Sequence, residues 1–195
     1  ERTRVEVRFD PDPLPESAWT ASGIDRAEFF VSPNVGEDPR PLARIASGGE
    51  LSRIMLAIKT ATATTRLRVS IDAGRRPSDA PGLVFDEVDA GIGGRVADVV
   101  GRKLQALGSA FQVLCITHLP QIAARADTHF QIEKRVVGGR TRTTVVRLDE
   151  NGRIEELGRM LGGAAVTPSI RASAREMLVA AKGESERRKR KAPNP

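Results

Sequence analysis

The sequence predicts an α/β fold with parallel core strands flanked by helices, and three observations carry that expectation. Strand-like and helix-like segments alternate through the middle of the chain. Gly82-Leu83-Val84-Phe85 is a wholly apolar run that stops at two acids, as a buried parallel strand does. Leu51, Ile54, Met55, Ile58 and Ala61 recur at i, i+3, i+4, i+7 and i+10, one face of an amphipathic helix. The 195 residues leave room for one large domain or two small ones.

In chain order, residues 1–9 read as a strand, with Thr3, Val5, Val7 and Phe9 alternating against charged neighbours. A stretch containing Pro11, Pro13 and Pro15 separates it from a second strand at about 27–32. A loop from Pro33 to Pro41 leads to the amphipathic helix, whose start is marked by Ser47-Gly48-Gly49-Glu50, with Ser at the N-cap and Glu at N3. Residues 70–82 read as a surface insertion. After the apolar run comes a helix over about 94–107, with Val96, Val99, Val100, Leu104 and Leu107 on one face and Gly108 as its stop. Phe111 to Ile116 is a second buried strand ending in Thr117-His118, and Pro120 opens a short helix to about Ala126. Phe130–Val137 and Thr141–Leu148 flank Gly138-Gly139, a hairpin signal. Two helices, about 154–161 and 168–182, close the fold, the latter with Thr167 as cap. The tail from Glu184 is charged and is expected to be disordered.

Composition excludes several classes. Cys115 is the single cysteine, so an internally stapled secreted scaffold is excluded and a reducing cytosol is expected. Apolar stretches fall far short of the ~20 residues that span a bilayer. The formal net charge of +6 invites a nucleic-acid reading, yet half of it lies in residues 184–195. The chain starts at Glu1, already in a strand pattern, and reads as a piece of a longer protein.

Three groups of residues could carry chemistry. Ser47-Gly48-Gly49-Glu50 is either a cap worth ~1 kcal/mol or an anion site. Two glycines in a first turn cost roughly 1 kcal/mol each against Ala, which makes sense where a backbone must approach a phosphate. Asp86-Glu87 ends a strand where open α/β sheets bind ligands. Those two acids repel unless compensated, and an Asp holding Mg²⁺ beside a Glu polarising water is one consistent division of labour; a solvated strand end is the other reading. His118 stands at the equivalent end of the next strand, where it is either structural or a phosphate contact.

Order and wording together resemble a known family. Ser47-Gly48-Gly49-Glu50-Leu51-Ser52-Arg53, Phe85-Asp86-Glu87-Val88-Asp89-Ala90-Gly91-Ile92 and Thr117-His118-Leu119-Pro120-Gln121 are similar to the RecN family of bacterial DNA-repair proteins, relatives of the structural-maintenance-of-chromosomes (SMC) ATPases. The resemblance runs from about Val5 to Ala181, with only the insertion near 66–82 and the tail outside it. It implies that residues 1–183 are the C-terminal lobe of an ABC-type ATPase head, incomplete without an N-terminal lobe. It implies, further, that Ser47, Gly48, Gly49 and Glu50 belong to a signature motif meeting the γ-phosphate of ATP held by an opposite protomer. By the same resemblance Asp86 supports Mg²⁺ through water, Glu87 is the general base and His118 senses the γ-phosphate. The loop Asp89, Ala90 and Gly91 would then cross the dimer interface.

The implied activity is ATP hydrolysis that separates two ATP-sandwiched heads, coupled to holding DNA during double-strand-break repair. The implied location is the cytoplasm, at the nucleoid, away from membranes. Two departures qualify it. Gly93 stands where the wider ABC pattern has an Asp, and the chain holds no Gly-Lys dipeptide and hence no P-loop. The competing reading is a non-hydrolysing DNA-binding or clamp-forming dimerisation module. A transporter domain is disfavoured, since Val88-Asp89-Ala90 replaces the usual Pro-Thr-Ser.

Overall fold

The computed structural model describes residues 4–12, 14–21, 23–32, 36–44, 48–72, 81–163 and 165–191. They group into two compact units, residues 1–51 and 52–195, a division that falls near the start of the long central helix. In the first unit, β1 (Arg4–Phe9) runs antiparallel to β2 (Ala27–Ser32), from Arg4 opposite Ser32 to Phe9 opposite Ala27. The short β3 (Arg40–Pro41) adds to the other edge of β2. Alternation gives this sheet two unlike faces. Arg4, Glu6 and Arg8 share one, where the Arg8 guanidinium stacks 4.2 Å from the centre of the Phe30 ring. Val5, Val7, Phe9 and Phe29 share the other and remain exposed.

Helix α1 (Gly48–Asp72) begins where the Ser-Gly-Gly-Glu cap predicts, although Ser47 itself lies outside the described residues. It is longer than expected and takes up residues 70–72 of the supposed insertion. Its buried face also differs. Leu56 is buried, whereas Leu51, Met55 and Ile58, expected to face a core, are about half exposed. The reason is polar: Ser52 and Arg53 hydrogen-bond to backbone carbonyls of the turn after β4 (Gly82–Phe85), and this orients the helix.

The second unit is built on β4 and β5 (Gln112–Cys115), which pair in parallel with Leu83 opposite Val113 and Phe85 opposite Cys115. Parallel strands need a crossover, supplied here by α2 (Gly94–Leu107). Leu83, Phe85, Val113 and Cys115 pack towards a core with Leu56, Val88, Ala97, Val100, Leu104, Leu107, Phe111 and Ile122. The strands were expected to be buried on both faces, but Val84 is 68% exposed and Leu114 and Ile116 are about half exposed. Among the described residues only one face of this two-stranded sheet is covered. On α2 the buried stripe is Ala97, Val100, Gly101, Leu104 and Leu107, so Val96 and Val99 point out instead of in.

Gly101 lets α2 approach α3 (Pro120–Ala123). A Cβ there would lie 3.1 Å from the Gln121 carbonyl oxygen and 3.3 Å from the Ile122 Cα. Gly101→Val is therefore expected to cost about 1–3 kcal/mol of stability, read as a lowered thermal unfolding midpoint. Hairpin β6 (Phe130–Val137) and β7 (Arg140–Arg147) turns at Gly138 and Gly139, both at positive φ, as the dipeptide predicts. Helix α4 (Glu150–Gly162) starts earlier than expected, because Asp149 caps it by accepting from the Gly152 N–H at 2.7 Å.

Helix α5 (Pro168–Lys191) packs Ala174 and Leu178 against Ile154 and Leu157. The tail expected to be disordered from Glu184 is helical through Lys191. Its Lys, Arg and Glu residues favour helix, and the buried Arg125 holds Glu184 at 2.8 Å while binding Asp98 at 2.6 Å. Burial would depress the Arg125 pKa, but these two carboxylates raise it above its ordinary value.

Candidate functional site

Parallel pairing of β4 with β5 brings their carboxyl ends side by side, with the Ile116 N–H reaching the Phe85 carbonyl at 3.0 Å. The acids and the histidine that sequence placed at strand ends thus share one edge of the sheet. Asp86 and Glu87 are exposed, whereas Val88 is fully buried, so the chain dips inward directly after the acid pair.

Glu87 is the one non-glycine at positive φ among the described residues, at 55°. A β-carbon is disfavoured in that region, at a cost of roughly 1 kcal/mol or more. Three hydrogen bonds hold it there. Its N–H donates to Asp86 Oδ1 at 2.9 Å, its carbonyl accepts from the Ala90 N–H at 2.9 Å, and Ser52 Oγ donates to the Asp86 carbonyl at 2.7 Å. Arg53 Nη1 reaches the Ala90 carbonyl at 2.8 Å. Ser52 and Arg53 lie just past Leu51, at the end of the family-like stretch Ser47–Arg53, and the sequence reading gave them no role of their own.

Asp89 is the hub of the edge. Its side chain is 4% exposed, and a single oxygen, Oδ2, accepts from Thr117 Oγ1 at 2.6 Å and the His118 N–H at 2.9 Å and lies 3.0 Å from His118 Nδ1. Burial pushes the Asp89 carboxyl up, but the hydrogen bonds from Thr117 and His118 and the His118 charge outweigh it and hold the pKa below 3.8. The Asp89 side chain is thus engaged within its own chain, by Thr117 and His118. What it does there is position His118: with Nδ1 held, Nε2 is the remaining ring nitrogen, on a side chain 72% exposed. Thr117 belongs to this arrangement and was not singled out from the sequence.

Of the other expected site residues, Gly48 is exposed, Gly49 buried and Glu50 half-buried on the first turn of α1. Ala90 is half-buried, and Gly91 turns at φ 70°. Cys115 lies beneath the edge, where burial, then Asp89 and Asp86, push its thiol up to about 12, so it carries no thiolate chemistry. Among the described residues no three His, Cys, Asp or Glu side chains cluster as a metal site.

An α/β core that gathers acids and a histidine at the carboxyl ends of parallel strands is the class of domain that binds ligands at a sheet edge. No protein-family model matches the chain. Individual proteins do match. The chain is 46% identical over 157 residues to the DNA repair protein RecN of Xylella fastidiosa strain Temecula1, covering 80% of this chain and 26% of that one. It is 42% identical over 178 residues to RecN of Halalkalibacterium halodurans, covering 91% and 29%, and 45% identical over 182 residues to RecN of Vibrio cholerae, covering 93% and 31%. Over its own length the chain belongs to the RecN family, and it spans between a quarter and a third of those relatives' length. A solved structure from work on ATP-driven dimerization and DNA-stimulated activation of SMC ATPases aligns at a TM-score of 0.45 and 20% identity, over 83% of this chain and 84% of that one. That likeness is too distant to carry an argument.

Proposed function

We propose that residues 1–183 are the C-terminal lobe of a RecN-type, SMC-like ATPase head that acts in DNA repair, with ATP, Mg²⁺ and DNA as ligands of the whole protein. The observation that carries this reading is the shared edge: Asp86 and Glu87 at the end of β4, joined through Asp89 to His118 at the end of β5. An acid, a base and a phosphate-facing ring held in one rigid frame suit phosphoryl hydrolysis, which depends on positioning and charge stabilisation.

Asp86 fits a magnesium role. Oδ1 accepts the Glu87 N–H, which leaves Oδ2 for a metal-bound water. Magnesium commonly keeps several waters and takes one or two protein carboxylates together with substrate phosphates. Bound there, it would neutralise charge on the phosphates. Glu87 would take a proton from the attacking water, and its exposed carboxylate is open to do so. His118 would present Nε2 to a phosphate oxygen.

The phosphate cradle and its lysine must come from outside this chain, and so must the cover for the open apolar residues. We assign both to an N-terminal lobe, which would seat against Val84, Leu114 and Ile116 and the outer face of α1. Ser47, Gly48, Gly49 and Glu50 would complete the site of a second head. No helix among the described residues is long and apolar enough to cross a membrane, and a DNA ligand would place the protein at the nucleoid. ATP turnover by the full-length protein, with and without Glu87→Gln, tests this reading; retention of full activity by the variant would refute it.

A further inference from the structure

The β6–β7 hairpin concentrates positive charge where folding gains nothing from it. Lys134, Arg135, Arg140 and Arg142 surround its turn, against the single carboxylate of Glu133. Register places Arg135 directly opposite Arg142, so two guanidinium stems stand on the same face, and like charges so placed destabilise a strand pair. Arg140, two residues from Arg142, falls on that face too, nearer the turn. Glu133 answers Arg135 at 2.7 Å. Arg140 and Arg142 have no hydrogen-bond or ion-pair partner among the described residues.

Every residue of β7 is exposed. The root, by contrast, is fixed: Gln131 Nε2 donates to Glu156 at 2.7 Å, and the Leu148 N–H donates to the His129 carbonyl at 2.9 Å. A tight Gly138-Gly139 turn holds the register at the other end.

We propose that the tip face formed by Arg135, Arg140 and Arg142 contacts the phosphate backbone of duplex DNA. This rests on the DNA-repair reading of the whole protein and adds the surface that meets the DNA. Guanidinium forks match phosphate oxygens, and a two-stranded ribbon is narrow enough to follow a groove. Contacts to phosphate oxygens carry no sequence information, so the contact is independent of sequence.

The test is binding of the full-length protein to duplexes of unrelated sequence at several salt concentrations. Arg140→Gln with Arg142→Gln is expected to weaken binding equally on all of them. The slope of log K against log salt should shrink by about 2, roughly 0.9 for each phosphate no longer neutralised. Replacement of both by Lys is expected to keep the slope, as is Arg175→Gln on the exposed side of α5. Arg142→Gln should melt no lower than the native protein, because it removes the charge opposite Arg135; that separates a binding defect from a folding defect. An unchanged slope in the double Gln variant overturns the hairpin contact alone. A native protein that fails to bind duplex DNA overturns the DNA reading with it.

Discussion

Glu87→Gln in the full-length protein is expected to slow ATP hydrolysis by about 10²-fold or more while ATP binding persists. The size of the effect follows from the chemistry assigned to one group: a carboxylate takes up the proton of an attacking water, and an amide of the same shape cannot. The site makes this a clean experiment. The Glu87 side chain has no hydrogen-bond or ion-pair partner among the described residues, so its replacement leaves no buried group unpaired. Gln bears the same strain as Glu at a φ of 55°, and stability should stay within about 0.5 kcal/mol of the native value. Glu87→Gly separates the two properties further. Glycine adopts that φ freely, so stability should rise by roughly 1 kcal/mol as turnover disappears. A strained residue that is dispensable for folding is what a functional constraint leaves behind.

Asp89 should show the opposite pattern, with stability and activity falling together. One oxygen of its carboxylate serves two donors, and hydrogen bonds to a charged group contribute about 1.5–3 kcal/mol each. Asp89→Ala leaves the Thr117 hydroxyl and the His118 N–H without their acceptor, and a loss of about 3 kcal/mol is expected. Asp89→Asn can keep the acceptor and loses only the charge, which should cost roughly half as much.

The pH dependence identifies the group. The Asp89 pKa is lower folded than unfolded, so its contribution is complete above the unfolded value of 3.8 and disappears as pH falls through the folded value. The stability difference between the native protein and Asp89→Asn should therefore shrink on acidification below 3.8. Turnover of the Ala variant should fall on the order of tenfold to a hundredfold, through kcat more than KM, because a displaced His118 misplaces a contact without removing it. A difference that persists undiminished at low pH would show that the Asp89 charge is not what holds the edge together.

Element positions were legible wherever local chemistry decides them. The Gly-Gly turn, the Asp86-Glu87 strand end, α2 and the Pro168 start of α5 all lie where spacing and capping residues put them. Orientation was less legible. The apolar face of α1 was expected to point inward, yet hydrogen bonds from Ser52 and Arg53 turn it outward, and no periodicity rule weighs carbonyl partners 34 to 37 residues away. Val84, Val96 and Val99 were misplaced for a related reason, since an open α/β sheet leaves apolar side chains exposed until something covers them. Within the site, the acids and His118 could be read from their strand ends. Asp89 was named only as part of an interface loop, and its bonds to Thr117 and His118 are visible only once β5 is laid beside β4. The tail's helix combines local propensity with a long-range bond from Arg125 to Glu184, and the second is not visible in sequence.

The trans arrangement of the site can be tested by mixing two inactive full-length proteins, one carrying Glu87→Gln and the other Ser47→Arg. If the signature residues of one head complete the ATP site of the other, each mixed dimer contains one site with both defects and one with neither. Turnover should then return towards a quarter of the native rate at equal mixing. If Ser47 serves the same site as the Glu87 of its own chain, every site in every dimer keeps a defect. A mixture no more active than its two components would contradict the sandwiched head.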